Sequence, residues 1–178
     1  MNTHQLAAAI YRSSHITGTF LLRSGVTATE YFDKYQFESD PALLRTIAEA
    51  MVPLISPGTE ALAGLELGGV PLATILSQIT GLPVYFVRKT AKTYGTCRLA
   101  EGGEVAGRRL LIIEDVVTSG GQVILSTEDL RNLGAEVDDA LCVIDRESGG
   151  PEKLAAVGVR LQALYTMSHL KEAGESHA

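Results

Sequence analysis

The sequence is short of most features that would place a protein at a glance. It has two cysteines in 178 residues, Cys97 and Cys142, and they form no Cys-x-x-Cys or other metal-ligand spacing. Two are too few for a disulfide scaffold, so a reducing, cytoplasmic setting is expected. No apolar run approaches the length that spans a bilayer, so no membrane partner is expected. Residues 1–15 carry a short Leu-Ala-Ala-Ala-Ile core with no basic residue before it, which does not read as a secretory signal. Positive charge is scarce: 15 Lys and Arg against 21 Asp and Glu give a net charge of −6, which argues against a general nucleic-acid binder. Walker A and G-x-G-x-x-G patterns are missing, leaving a nucleotide triphosphatase or dinucleotide site without support. Repeats, low-complexity tracts and linkers are missing too, so residues 1–178 read as one domain.

What is present is alternation. Apolar residues make up 46% of the chain and charged ones 20%, ordinary for a globular protein with a real core. A short amphipathic helix begins near Thr3, and two short strands around residues 18–25 and 29–33 could pair as a hairpin. Asp40-Pro41 reads as an N-cap followed by proline at the first helical position, with Leu43, Leu44, Ile47, Ala48 and Met51 on one face. Strands at 61–67, 84–87, 110–113, 137–144 and 160–165 then alternate with helices at 71–80, 122–133 and 151–157. This order predicts an α/β fold: a central, mostly parallel sheet with helices on both faces and a small N-terminal hood near residues 1–37 over its ligand edge. Residues 171–178 read as a polar tail.

The chain is organised around residues 109–122. Leu110 to Ile113 is an unbroken apolar run, the mark of a strand buried on both faces. Glu114 and Asp115 follow where the strand should meet solvent, then Val116, Val117, Thr118, Ser119, Gly120, Gly121 and Gln122 lead into a helix. Ligands of α/β folds collect at this end of parallel strands. The hydroxyls, small residues and helix N–H groups suit a phosphate, whereas two acids suit sugar hydroxyls or a hydrated metal. The bland alternative is a surface turn with two solvated carboxylates.

A second segment leaves the strand at 84–87. From Arg88 to Arg98 it holds four basic residues and no acid, inside an irregular stretch near residues 90–107. A structureless segment of this length in a compact domain is often a lid, and lysines on a lid suit a polyanion; the alternative is a solvated loop.

The run from the apolar strand through Glu114-Asp115 to Thr118-Ser119-Gly120-Gly121 closely resembles the phosphoribosyl-pyrophosphate motif of type I phosphoribosyltransferases. With Arg88-Lys89, Lys92 and Gly95 upstream, Phe20 to Gly25 before Tyr31-Phe32-Asp33, and Val143-Ile144-Asp145-Arg146 downstream, nearly the whole chain resembles the orotate phosphoribosyltransferase family. The resemblance implies transfer of the 5-phosphoribosyl group of phosphoribosyl pyrophosphate to orotate in pyrimidine biosynthesis, with Mg²⁺ held mainly by substrate oxygens and water. It implies that Arg88, Lys89, Lys92, Tyr94, Glu114, Asp115 and the stretch Val116 to Gln122 bind the sugar pyrophosphate. Lys92, Glu114 and Asp115 would be catalytic. Arg23, Tyr31, Phe32, Thr118 and Arg146 would frame orotate. It also implies a homodimer with shared sites, Lys89 acting in its own subunit and Arg88, Lys92 and Tyr94 across the interface.

Two positions depart from the family: Arg23 stands where lysine is usual, and Tyr94 where the lid usually carries histidine. Tyr31 and Phe32 are adjacent in a strand and face opposite ways, so one is expected to be core. Arg146 could instead be a surface ion pair, and Asp33 has no expected role. The four histidines, His4, His15, His169 and His177, show no ligand spacing. Two other readings keep the motif: a phosphoribosyltransferase for another base, and a regulator that binds the sugar pyrophosphate without catalysis.

Overall fold

The apolar run at 110–113 does form the middle of a sheet. A computed structural model describes residues 1–21, 25–95 and 98–176. The six-stranded sheet has the order β5-β4-β3-β6-β7-β8. Its strands are β3 (Ala61–Leu65), β4 (Val84–Val87), β5 (Ala100–Glu101), β6 (Arg109–Val117), β7 (Glu136–Asp145) and β8 (Arg160–Thr166). All neighbours run parallel except β5, which returns antiparallel to β4.

The strand order reverses between β3 and β6. After β3 the chain passes through α4 (Gly69–Thr80), whose Leu72, Ala73 and Leu76 bury themselves on one face of the sheet. After β6 it passes through α5 (Gly121–Asn132), whose Val123 and Leu130 bury themselves on the other. Two loops leaving adjacent strands for opposite faces open a crevice between them. The first face is also covered by α1 (Thr3–Ser14), α3 (Pro41–Met51) and α7 (Met167–Glu175), and the second by α6 (Gly150–Ala156).

The N-terminal strands β1 (His15–Leu21) and β2 (Thr27–Phe32) pair as the expected antiparallel hairpin, separate from the main sheet. Asp33 then turns the chain. Its carboxylate accepts from the Tyr35 N–H and from the Gln36 side chain, starting the short helix α2 (Tyr35–Ser39). Phe37 pins that helix with a fully buried ring. Asp40 caps α3 through the N–H groups of Ala42 and Leu43, as its position before proline predicts.

Three expectations need correction. The organising strand does not stop at Ile113: it stays paired with β7 up to Val117, so Glu114 and Asp115 lie within the strand, not at its solvent edge. The irregular segment is interrupted by β5, whose residues pair with Phe86 and Val87. The stretch 171–176 is not a free tail. It lies within or directly after α7, where Leu170 and Ala173 are fully buried and Gly174 packs on the Tyr11 ring of α1. An i, i+3 apolar pair among polar residues gives little signal until its partner helix is known.

Candidate active site

The phosphate-like end of the site is built mainly from backbone. Thr118 and Ser119 are exposed, and Gly120 takes the left-handed conformation, φ 77°, that lets the chain turn sharply into α5. No side chain caps α5, and its first turn carries no acid. Its first N–H groups therefore lack side-chain acceptors, and the helix dipole adds partial positive charge there. A cavity of about 330 Å³ lies against this turn, lined by Glu114, Val116, Val117, Thr118, Ser119, Gly120, Gly121, Gln122 and Val123.

A second cavity, about 200 Å³, adjoins the first and shares Val116 and Thr118 with it. Its remaining walls are Tyr31, Phe32, Asp33, Lys34, Tyr35 and Arg146. The end of the hairpin thus lies against the C-terminal ends of β6 and β7. Tyr31 is exposed and lies tilted against Phe20, while Phe32 packs against the core and toward Tyr11, so the adjacent rings face different surroundings. Arg146 makes no ion pair among the described residues. Its N–H bonds to Val117 O at 2.8 Å. The next residue, Glu147, has φ 57°, and its carboxylate accepts from the Ser168 N–H and hydroxyl, which anchors this turn. Arg23 lies outside the described residues.

Behind the cavity walls sits a carboxyl cluster only partly foreseen from sequence, with Glu114 lining the first cavity and Lys34 the second. The Asp115 side chain is 1% exposed, and its Oδ1 accepts the Val116 N–H at 2.6 Å. Its Oδ2 faces the loop after β3 so closely that a Cβ on Gly68 would lie 1.7 Å from it. Glu38 Oε1 borders the same point, 2.9 Å from that Cβ position, and both oxygens are buried without a regular hydrogen bond. Lys34 supplies the compensating charge, its Nζ 2.5 Å from Asp115 Oδ2. Glu114 stands beside them, accepting the Asp115 N–H through Oε2.

One cation cannot balance three crowded carboxylates. Burial and the Asp115 charge push Glu38 up to about 9, and burial with the same neighbour pushes Glu114 up to about 8. Burial also opposes ionisation of Asp115, but Glu38, Lys34 and the Val116 N–H outweigh it and hold that carboxyl below its usual range. Lys34 is raised: burial disfavours its charge, but Asp115 and Glu114 favour it more strongly. The cluster therefore favours one ionised acid, Asp115, against the Lys34 ammonium, while burial and the Asp115 charge favour the protonated forms of Glu38 and Glu114. Lys34, Glu38 and Gly68 carry no motif. The available signal is the i, i+4 spacing of Lys34 and Glu38, which places both on one side of a helical turn.

The basic segment lies at the edge of the sheet. Arg88 and Lys92 both pair with Glu101, the acid that β5 brings back beside them. Lys92 also lies 6.0 Å from the centre of the Tyr94 ring, and Tyr94 is 73% exposed. The Lys89 side chain is exposed, while its N–H bonds to Glu66 Oε1 at 2.6 Å, tying this segment to the loop that packs on Asp115. The sequence stretch without acids is thus neutralised in part from across a strand pair. Among the described residues no group of three or more His, Cys, Asp or Glu could hold a metal ion.

The family model for the phosphoribosyl transferase domain matches residues 35–163. An orotate phosphoribosyltransferase of a Nocardioides species is 54% identical over 173 residues, covering 97% of each chain. One from Halobacterium salinarum is 42% identical, covering 96% of this chain and 98% of its own. The crystal structure of the Mycobacterium tuberculosis enzyme of the same name, with Fe(III) dicitrate, superposes with a TM-score of 0.85 at 32% identity, covering 94% of this chain and 98% of that one. A structure of that protein with phosphoribosyl pyrophosphate gives 0.80 at 28% identity, covering 95% and 98%. Matched in sequence along almost its full length and in overall fold, the chain belongs to the phosphoribosyltransferase family, in its orotate phosphoribosyltransferase branch.

Proposed function

We propose that the protein transfers the 5-phosphoribosyl group of phosphoribosyl pyrophosphate to orotate, releasing pyrophosphate and orotidine 5′-monophosphate. One observation carries this reading: a cavity at an uncapped helix N-terminus and a cavity between an aromatic pair and an arginine meet at Val116 and Thr118. The first suits a sugar phosphate, the second a flat anion. Their shared wall is where a bond between sugar and base would form.

In this reading the amides and hydroxyls from Thr118 to Gln122 hold the 5-phosphate, and Glu114 and Asp115 accept from the ribose hydroxyls. Tyr31, Phe32 and Thr118 frame the base, with Arg146 and Arg23 answering its charge. The carbon–oxygen bond to pyrophosphate breaks as the bond to the base nitrogen forms, and its electron pair leaves with the pyrophosphate. Positive character builds on the sugar ring as in glycoside cleavage. Lys92, with Arg88, Lys89 and Tyr94, places positive charge where the leaving group gains negative charge. Two neighbouring carboxyl groups offer hard oxygen acceptors, which fits a hydrated Mg²⁺ brought in mainly on substrate oxygens. When bound, Mg²⁺ neutralises the pyrophosphate and orients the sugar.

Tyr94 is exposed and available to a second copy of the chain, which suits a homodimer with shared sites once Arg88 and Lys92 leave Glu101. No helix among the described residues is long and apolar enough to cross a membrane, which suits a cytoplasmic enzyme of pyrimidine biosynthesis. The test is a panel of free bases given with phosphoribosyl pyrophosphate and Mg²⁺, followed for nucleotide formation. Orotate is expected to be consumed. Use of uracil or hypoxanthine in its place would reassign the base, and binding without turnover would make the protein a sensor.

A further inference from the structure

Lys34 belongs to neither sequence motif, and the family resemblance assigns it nothing. It nevertheless lines the base-side cavity and reaches the acids of β6. Its ammonium pairs with Asp115 at 2.5 Å, yet the residue lines the base-side cavity beside Arg146 and Thr118. The two partners differ in freedom. Asp115 is 1% exposed and held through Oδ1 by the Val116 N–H, whereas Lys34 is 34% exposed on a flexible stem. Oδ2, the oxygen not held by backbone, is buried with the Lys34 ammonium against it, so a further donor reaches it only if that ammonium moves. A sugar hydroxyl arriving at Oδ2 competes with the ammonium.

Glu38 makes that competition sharper. Its carboxyl closes the far side of Asp115 against Gly68, leaving the displaced lysine little room inward. The open direction is the base-side cavity, where Arg146 already adds a positive charge without an ion-pair partner among the described residues. Two cations in one small cavity repel each other unless an anion joins them.

We propose that Lys34 is a shared counter-ion and specificity-determining residue, neutralising Asp115 in the empty site and turning to the carboxylate of orotate once the ribose hydroxyls take Asp115. The inference rests on the substrate assignment above and adds a coupling to it. Binding of the sugar frees the cation that the base requires, so each ligand strengthens the other by the same factor. A base without a carboxylate gains nothing from the exchange.

The experiment is calorimetric titration of orotate into the wild-type protein and into Lys34→Met, with and without saturating ribose 5-phosphate as an unreactive sugar probe. Steady-state kinetics accompany it. In the wild type the probe is expected to tighten orotate about tenfold, within the usual range for coupled sites. In Lys34→Met the coupling disappears and the orotate KM rises ~10–100-fold, the scale of one charge-assisted hydrogen bond, while kcat stays within about threefold. Lys34→Arg recovers most of the orotate KM, which a merely structural role would not require. If the methionine variant does not fold, Lys34→Gln gives the same reading. An orotate KM within about twofold of wild type, with coupling intact, overturns the role of Lys34. The two readings fail separately: a wild type that forms orotidine 5′-monophosphate keeps the assigned reaction whatever Lys34 does, and a wild type inert toward orotate removes both.

Discussion

The turn after β6 and the basic segment after β4 meet the same requirement, holding an anionic substrate, in opposite ways. The turn relies on backbone: amides, a left-handed glycine and a helix end, all fixed by ladder hydrogen bonds and the core beneath. The basic segment relies on long side chains, and in the free protein these are already engaged by Glu101. A preformed cradle needs little reorganisation to receive its ligand, whereas charged side chains must first leave an internal partner. In the proposed reaction, the difference would give binding to the first region and the transition state to the second.

The largest effect is expected where the loop after β3 packs tightest on the acids of β6 that lead into the cradle. Gly68→Ala would set a Cβ 1.7 Å from Asp115 Oδ2, so either the carboxylate or the loop must move. We expect kcat/KM to fall ~10³-fold through this misplacement. The circular dichroism spectrum should be retained. Initial rates of orotidine 5′-monophosphate formation decide it, and rates near wild type would mean that Asp115 need not stay where it is.

Next comes Lys92→Ala, for which kcat is expected to drop ~10²–10³-fold with a smaller change in KM. A variant that instead raises KM at constant kcat would erase the contrast, making the basic segment a binding element like the turn.

A smaller effect follows from the protonated cluster. Glu38 and Glu114 bind protons more tightly folded, at about 9 and about 8, than at their ordinary 4.5. Between these values the native state carries more protons than the unfolded chain, so stability falls as pH rises from about 5 to 9. Asp115, lowered below 3.8, and Lys34, raised above 10.5, change little within that window. Melting temperatures across it should decline by several degrees, and Glu38→Gln should remove much of the slope. An unchanged slope in the variant would mean that Glu38 is ionised.

The smallest effect is assigned to Glu101→Gln. Releasing Arg88 and Lys92 from a partly exposed pair should lower the KM for phosphoribosyl pyrophosphate ~2–5-fold. A rise in KM would show that the acid positions these cations rather than restraining them.

The same contrast explains what could be read from sequence. The cradle is contiguous, so its apolar run, acids, hydroxyls and glycines announce strand, turn and helix in order. The alternation that builds the sheet is equally local. Lys34 and Glu38 escaped notice because their meaning depends on Asp115, which reaches them only after the sheet has formed. The true end of β6 was hidden for a related reason: a carboxylate looks like a boundary until β7 is known to pair beside it up to Asp145. Helix α7 has a regular apolar stripe, Met167, Leu170, Ala173 and Gly174, but it is short and otherwise polar, and it follows the last strand directly.

That last helix has a consequence at the opposite end of the molecule. α7 packs on α1, with Gly174 against Tyr11, and the Tyr165 hydroxyl at the end of β8 bonds to Thr3 O at 2.8 Å. Tyr11 in turn stacks on His15, the first residue of the hairpin that lines the proposed base cavity. The hairpin thus hangs from a bracket whose rear bolt is the C-terminal helix. Clipping the chain just after Thr166 would strip buried Leu170, about 2 kcal/mol of burial by itself, and loosen that bracket. The awning over orotate should sag while the phosphate turn stays firm.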